Sequence, residues 1–261
     1  MVQIKNPDNP QLVSALARGL AVLSCFTARQ QELSGKELAD LTGLPKPTLF
    51  RLLDTLCELG MLRYSSRVSK YVPGVALLNL AAPVLARMTI RQLARPLMQD
   101  LADYVNGQVQ VLVGYRAGLS FVEIAQGAES KLYRPEVGLP VSISRTASGR
   151  AYLCFSEEPE CAAYLDALKQ SDPERHAWLQ DRLLDARKDL AQLGFCRGHG
   201  DLYREVSTIS VPMLPARDGE FWIFSVSVPV FSEHSQHFHD DIGPRLISLV
   251  RSVEASLGSL V

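Results

Sequence analysis

Leu41–Gly60 reads LTGLPKPTLFRLLDTLCELG: a glycine, two prolines in alternation with Leu44 and Lys46, and then leucines at helical spacing. A residue ahead of proline is pushed away from the helical region, so Leu44 and Lys46 are expected to be extended and Pro47 to be the first helical residue. From there Leu49, Leu52, Leu53, Leu56 and Leu59 form one apolar stripe, while Thr48, Arg51 and Thr55 share the opposite face. Just upstream, Ser34 is followed three residues later by Glu37. That spacing is a capping box, predicting a short helix to Thr42 with Leu38 and Leu41 inward and Gly43 as its stop. Earlier still, SALARGLAVLSCF (Ser14–Phe26) places Leu16, Leu20, Leu23 and Phe26 on one face of a further amphipathic helix.

Two short helices joined by a tight glycine turn, the second beginning with small polar and basic residues, match the helix-turn-helix. Its second helix enters the DNA major groove N-terminus first, which would bring Lys46, Thr48 and Arg51 to the bases and phosphates. An αα-hairpin with a proline-started second helix also occurs in proteins that never touch DNA, so the sequel matters. GMLRYSSRVSKYVPG (Gly60–Gly74) reads as two short strands around a polar turn, with Arg63, Arg67 and Lys70 close together. Such a β-wing adds salt-dependent phosphate contacts without specifying sequence.

The charge of the chain divides in the same sense. Residues 1–90 carry ten Lys and Arg against six Asp and Glu, and the remainder seventeen against twenty-two, which leaves +4 and −5 behind the overall −1. Any polyanion is therefore expected at the N-terminal end. With 261 residues, 47% of them hydrophobic, the chain has material for one large or two ordinary cores. No stretch is long and apolar enough for a membrane helix, and MVQIKNPDNPQ lacks the apolar segment of a secretory signal, so a cytoplasmic location and no membrane partner are expected. The five cysteines are scattered and form no CxxC pair, as expected of reduced, mostly buried thiols.

Downstream, GVALLNLAAPVLARM (Gly74–Met88) is apolar on too many sides for a solvated linker, and is expected to pack against a partner chain, with Pro83 bending or interrupting it. IRQLARPLMQDLADYV continues as a helix around Pro96. VQVLVGYR and LSFVEIAQG look like a hairpin turning at Ala117 and Gly118. TASGRAYLCF and Pro173–Leu193 read as helices, FCRGHGD, VSTISVPML and FWIFSVSVPV as strands, and the C-terminal segment as a closing helix. The order is that of an α+β domain built on an antiparallel sheet.

SALARGLAVLSCF, LSGKELADLTGLPKPTLFRLLDTLCELGML and KYVPG together resemble the winged helix-turn-helix of the IclR family of bacterial transcriptional regulators. The resemblance continues in VGLPVSISRTASGRAYL, LAQLGFCRGHGDLYREVSTISVP and FSVSVP, and so covers nearly the whole chain. It implies a DNA-binding domain over 10–74, a linker helix over 75–90 and a GAF-like effector-binding and oligomerisation domain over 91–261. It further implies double-stranded operator DNA as partner, a small-molecule effector of organic-acid character, control of a catabolic operon, and self-association as a dimer or dimer of dimers. The DNA-contacting set is Lys46, Pro47, Thr48, Phe50, Arg51, Arg63, Arg67 and Lys70, with Phe50 placed either against a thymine methyl or against the wing. The family's pocket maps onto Thr146, Ala147, Ser148, Val206, Thr208, Ser225 and Ser227, with Tyr133 and Val141 completing the wall. Ser225 and Ser227 share a strand face by alternation, and the helix start at Thr146 offers amides to a carboxylate. The chain departs from the family in VSISR before Thr146, in RGHGD and in Glu205; Arg145, His199 and Arg204 are candidates to neutralise an anionic effector.

Rival readings exist for three clusters. His234, His237, His239 and Asp240 could hold a metal, although neither metal nor cofactor is expected. Ser148, His199 and Asp201 could be written as a nucleophilic triad, but no GxSxG elbow supports one and an enzyme is not expected. A small-molecule or redox sensor whose winged module binds a protein remains the competing class.

Overall fold

The computed structural model describes residues 11–115, 118–217, 220–232 and 237–258. The chain divides into two compact units, Met1–Arg87 and Met88–Val261. Among the described residues no helix is long and apolar enough to cross a membrane.

In the first unit, helices α1 (Ser14–Leu23), α2 (Gly35–Thr42) and α3 (Lys46–Glu58) precede a hairpin of β1 (Leu62–Ser65) and β2 (Lys70–Pro73). Val22, Leu33, Leu38, Leu49, Leu53, Leu56 and Leu62 form its core. The capping box is present: Ser34 Oγ accepts from the Glu37 amide at 3.2 Å, and Glu37 accepts from the Ser34 amide at 2.7 Å. Gly43 ends α2 at φ 65°, the left-handed cap that glycine adopts without strain. Leu33 and Tyr71 exchange backbone hydrogen bonds at 3.0 and 2.8 Å, which ties the wing to the entry of α2.

Four expectations shift here. Helix α3 starts at Lys46, one residue early, with Pro45 as its extended N-cap and Pro47 in the first turn, where a missing N–H breaks no helical bond. Leu41 and Leu59 lie outward. Helix α1 ends at Leu23 and buries Gly19 and Val22, leaving Leu16 and Leu20 exposed at 64% and 42%. The buried stripe is displaced by one residue, onto Gly19 and Val22, and a Cβ at Gly19 would stand at an ordinary contact distance of 4.0 Å from Leu52 of α3. Finally, α4 (Ala76–Arg87) runs through Pro83 uninterrupted. Pro83 and Asn79, whose carbonyl the ring displaces, are both on exposed surface, where water replaces the lost bond.

The second unit carries α5 (Thr89–Val105), β3 (Gln108–Tyr115), β4 (Gly118–Gln126), α6 (Ala147–Phe155), α7 (Glu158–Ser171) and α8 (Pro173–Leu193). It continues with β5 (Cys196–His199), β6 (Val206–Arg217), β7 (Glu220–Pro229), a π turn (Phe238–Ile242) and α9 (Gly243–Gly258). Periodicity assigns no element to the stretch that forms α7, a helix of weak amphipathicity. The five strands form one antiparallel sheet in the order β4-β3-β7-β6-β5. Helices α6 and α8 pack over one face with Leu112, Ile223 and Cys196, and α7 packs on α8. The alternate residues Val109, Val111, Ile209, Val211 and Val226 point the other way, where α5 and α9 cover the sheet.

Candidate functional site

Two groups of candidate residues stand out, one in each unit. In the first, the leucines of α3 face the core and its other side is open: Lys46, Pro47, Phe50, Arg51 and Thr55 are exposed and Thr48 is half-buried. Phe50 is 46% exposed, yet its ring lies along α2, since a Cβ on Gly35 would stand 3.2 Å from Phe50 Cζ. The ring therefore packs on α2 next to Tyr71 with its outer edge in solvent. Arg63 and Arg67 are exposed on the wing. Lys70 differs: its ammonium is 3.2 Å from the Glu37 carboxylate, so it pins the wing to the capping box of α2. Glu37 is held down to about 2 by the Ser34 amide first, then by the Ser34 hydroxyl and Lys70. The paired turn, recognition-type helix and wing are thus held in one piece with a basic and polar outer surface.

In the second unit, strand register gathers polar side chains from distant sequence onto the face beneath α6. Gln108 pairs with Ser227 and Gln110 with Ser225 across β3 and β7, while Thr208 and Ser210 of β6 stand opposite the same two serines. One row is a chain of neutral groups. Thr208 Oγ1 is 3.0 Å from Ser227 Oγ, and Gln110 Nε2 donates to Ser227 Oγ and Gln108 Oε1, both at 3.2 Å. Gln108 Nε2 in turn donates to Gln126 Oε1 at 3.1 Å and to the Tyr133 carbonyl at 3.0 Å. The Tyr133 ring itself is 70% exposed, so its backbone and not its side chain meets the row.

The second row is closed. Ser148 from α6, Ser210 and Ser225 form a triangle of hydroxyls, with Oγ separations of 3.1, 2.7 and 2.8 Å, all three buried. Each hydroxyl has one donor and can accept, so a cyclic trimer satisfies all three without an external group. Thr146 is likewise committed, accepting from the Gly149 amide at 3.0 Å and donating to the Ser142 carbonyl at 2.8 Å. Ala147 is buried beside this triangle and Val141 packs against the core cluster beneath α6. Val206 is half-buried at the start of β6, paired with Pro229. Of the residues assigned to a pocket, Thr208 and Ser227 sit in the open-ended row, and Ser148 and Ser225 in the closed triangle. Gln108, Gln110 and Ser210 complete both rows. Their only sequence signal is a polar residue at every second position of an otherwise apolar strand.

The rival clusters resolve by geometry. Ser148 bonds to serines, His199 Nδ1 is 2.8 Å from Ser207 Oγ, and Asp201 pairs with Arg150 at 2.7 Å, so no triad assembles. His234 and the His239 side chain lie outside the described residues; His237 is exposed. Among the described residues no group of three or more His, Cys, Asp or Glu could hold a metal ion. All five thiols are raised, chiefly by burial, Cys154 to about 11 and Cys196 to about 12. Thiols so protonated are poor nucleophiles, which weighs against redox sensing. Arg145 and Arg204 are exposed. The arginine that is buried is Arg150 of α6, which no sequence pattern singles out.

Comparison with known proteins agrees with this architecture. Residues 15–66 match the IclR helix-turn-helix domain, and residues 82–254 match the C-terminal domain of the bacterial transcriptional regulator IclR. The HTH-type transcriptional regulator TsaQ1/TsaQ2 of Comamonas testosteroni is 29% identical over 263 residues, covering 97% of this chain and 94% of that protein. An IclR family transcriptional regulator from Brucella abortus has the same fold at a TM-score of 0.86 and 33% identity, covering 98% of this chain and 96% of the other. A more distant fold relative, an IclR homolog complexed with 4-hydroxybenzoate from Microbacterium hydrocarbonoxydans, gives a TM-score of 0.72 at 19% identity, covering 94% and 99%.

Proposed function

This chain belongs to the IclR family of DNA-binding transcriptional regulators, and from that premise we propose that a small organic acid, held on the polar sheet face of its second unit, sets its affinity for operator DNA. The observation that carries the ligand half is the row Gln108–Gln110–Ser227–Thr208, a run of buried and half-buried hydroxyls and carboxamides beneath the N-terminus of α6. Such groups orient a polar ligand by hydrogen bonds, and a helix N-terminus favours a carboxylate. The 4-hydroxybenzoate bound by the distant relative supports an organic acid as the class. Genes that break down that acid are the regulated set.

For DNA, the reading rests on the exposed start of α3. Lys46, Thr48 and Arg51 enter the major groove, while Arg63 and Arg67 of the wing meet flanking phosphates; Lys70 serves by fixing the wing. Self-association supplies the second half-site. Leu16 and Leu20 of α1, with Val75, Leu78, Leu80 and Val84 at 50–75% exposure in and before α4, support burial against a second copy. Effector binding shifts operator affinity only through unequal affinity for DNA-competent and incompetent arrangements.

Arg51→Ala is expected to weaken binding of an upstream promoter fragment about 10- to 100-fold, the span of one lost base or phosphate contact, with self-association unchanged. Ser227→Ala should alter the response to added organic acids while leaving unliganded DNA binding intact. Equal footprints for Arg51→Ala and the parent would refute the DNA-reading assignment. Affinity without a steep salt slope would favour a protein partner for the winged unit instead.

A further inference from the structure

We propose that the second unit holds a separate anion site, in the cavity between α8 and the edge strand β5, whose ligand is a small organic anion recognised through a carboxylate. The cavity measures about 580 Å³ and includes none of the sheet-face residues Thr208, Ser225 or Ser227 in its lining. Its walls come from three elements: Arg150 of α6, Arg182, Lys188 and Asp189 of α8, and Arg197 and Asp201 of β5 and the turn that follows.

The charges do not balance. Four permanent cations, Arg150, Arg182, Lys188 and Arg197, face three carboxylates, and each carboxylate already has an arginine. Asp201 accepts from Arg150 Nη2 at 2.7 Å, Asp189 accepts two bonds from Arg197 at 2.9 and 2.6 Å, and Asp185 is 3.7 Å from Arg182. Among the described residues, Lys188 has no ion-pair partner. Deeper in, Arg150 is 1% exposed, donates from Nη2 to Asp201 and to the Arg197 carbonyl, lies beside the Cys196 thiol, and leaves Nη1 buried without an oxygen or nitrogen acceptor.

A thiol is a weak acceptor, so a buried guanidinium nitrogen without an oxygen to donate to is a costly arrangement, and a bound ion is one way native structures resolve it. The planar fork of a guanidinium matches the two oxygens of a carboxylate. Trp178 steadies the basic wall, its ring centre 5.9 Å from Arg150 Cζ and 5.4 Å from Arg182 Cζ. Gly198 keeps the approach open, since a Cβ there would stand 3.1 Å from Arg150 Nη2 and 3.2 Å from Asp201 Oδ2. One carboxylate in this cavity would offset the unmatched cation and offer an acceptor beside the orphan donor.

Isothermal titration of the full-length protein with succinate, acetate and inorganic phosphate, at ionic strength matched with sodium chloride, tests the assignment. Succinate or acetate should bind saturably, phosphate at least tenfold more weakly, and the exposed substitutions Lys188→Met and Arg182→Met should each weaken carboxylate binding at least fivefold. The exposed Lys169→Met, outside the cavity lining, should leave it unchanged, and a loss there equal to that of Lys188→Met would reduce the effect to net charge and overturn the cavity assignment. Absence of saturable carboxylate binding, indifference to Lys188→Met, or phosphate binding as tight as succinate would each overturn the proposal.

Discussion

The hydroxyl triangle of Ser148, Ser210 and Ser225 makes a quantitative claim about the second unit. Its three Oγ atoms lie 3.1, 2.7 and 2.8 Å apart, and all three side chains are buried. In a cyclic trimer every donor meets an acceptor. Replacing Ser148 by alanine removes two of the three bonds and leaves Ser210 and Ser225 sharing one, so one hydroxyl hydrogen loses its acceptor in a place water does not reach. At roughly 0.5–1.5 kcal/mol per net bond, plus a desolvation penalty of about 1–3 kcal/mol for the orphan group, each single alanine variant should cost about 2–6 kcal/mol. The triple alanine variant loses the third bond but carries no orphan, so it should cost about 1.5–4.5 kcal/mol, near a single variant and far below the sum of three. Urea unfolding followed by tryptophan fluorescence suits the test, because Trp178 and Trp222 both lie in the second unit. A triple variant destabilised by the sum of the singles would refute the closed ring, as would singles that cost nothing.

Two further outcomes follow from the same geometry. Gly149→Ala should destabilise the second unit by roughly 3 kcal/mol or more, because its Cβ would stand 2.1 Å from the Ile143 carbonyl oxygen and 2.3 Å from Ile143 Cα, backbone that cannot swing aside; unfolding midpoints of the purified variant check it. In the first unit, Glu37 sits at about 2, below its ordinary 4.5. A depressed carboxyl contributes stability above the unfolded value and loses it as pH falls from about 4.5 toward 2. Amide-exchange protection of Glu37 and Leu38 should therefore fall through that window, and Glu37→Gln should flatten the dependence; protection that ignores pH would contradict the paired capping box.

Much of the first unit was legible in the chain as written. The capping box, the Gly43 stop and the hairpin from Leu62 to Pro73 depend on residues within a few positions of one another, and they form where their local chemistry places them. The length of α8 follows from Asp172 and Pro173 at one end and Gly194 at the other, again local signals. The alternation of Ser225 and Ser227 with Val226 and Val228 in β7 likewise shows that one sheet face is polar. Packing overrides two local signals: Lys46 joins α3 despite the proline that follows, and α1 buries Gly19 and Val22 while Leu16 and Leu20 face outward.

What the polar face meets was decided by tertiary structure. Gln110 reaches Ser227 across a separation of 117 residues, and Ser148 reaches Ser225 across 77. A strand's own residues specify its two faces but not its neighbours, because pairing order and register depend on how every apolar face in the unit is covered at once. Lys70 shows the same limit at smaller scale. Its sequence position marked a wing cation, yet the fold brings Glu37 within 3.2 Å and makes it a brace. Sequence alone determined most of the elements, the capping box and the family resemblance, because these rest on neighbouring residues; the fold decided the helix α7, which hydroxyls close on one another, and that Arg150 lies buried, since charge pairing and burial are properties of the packed whole.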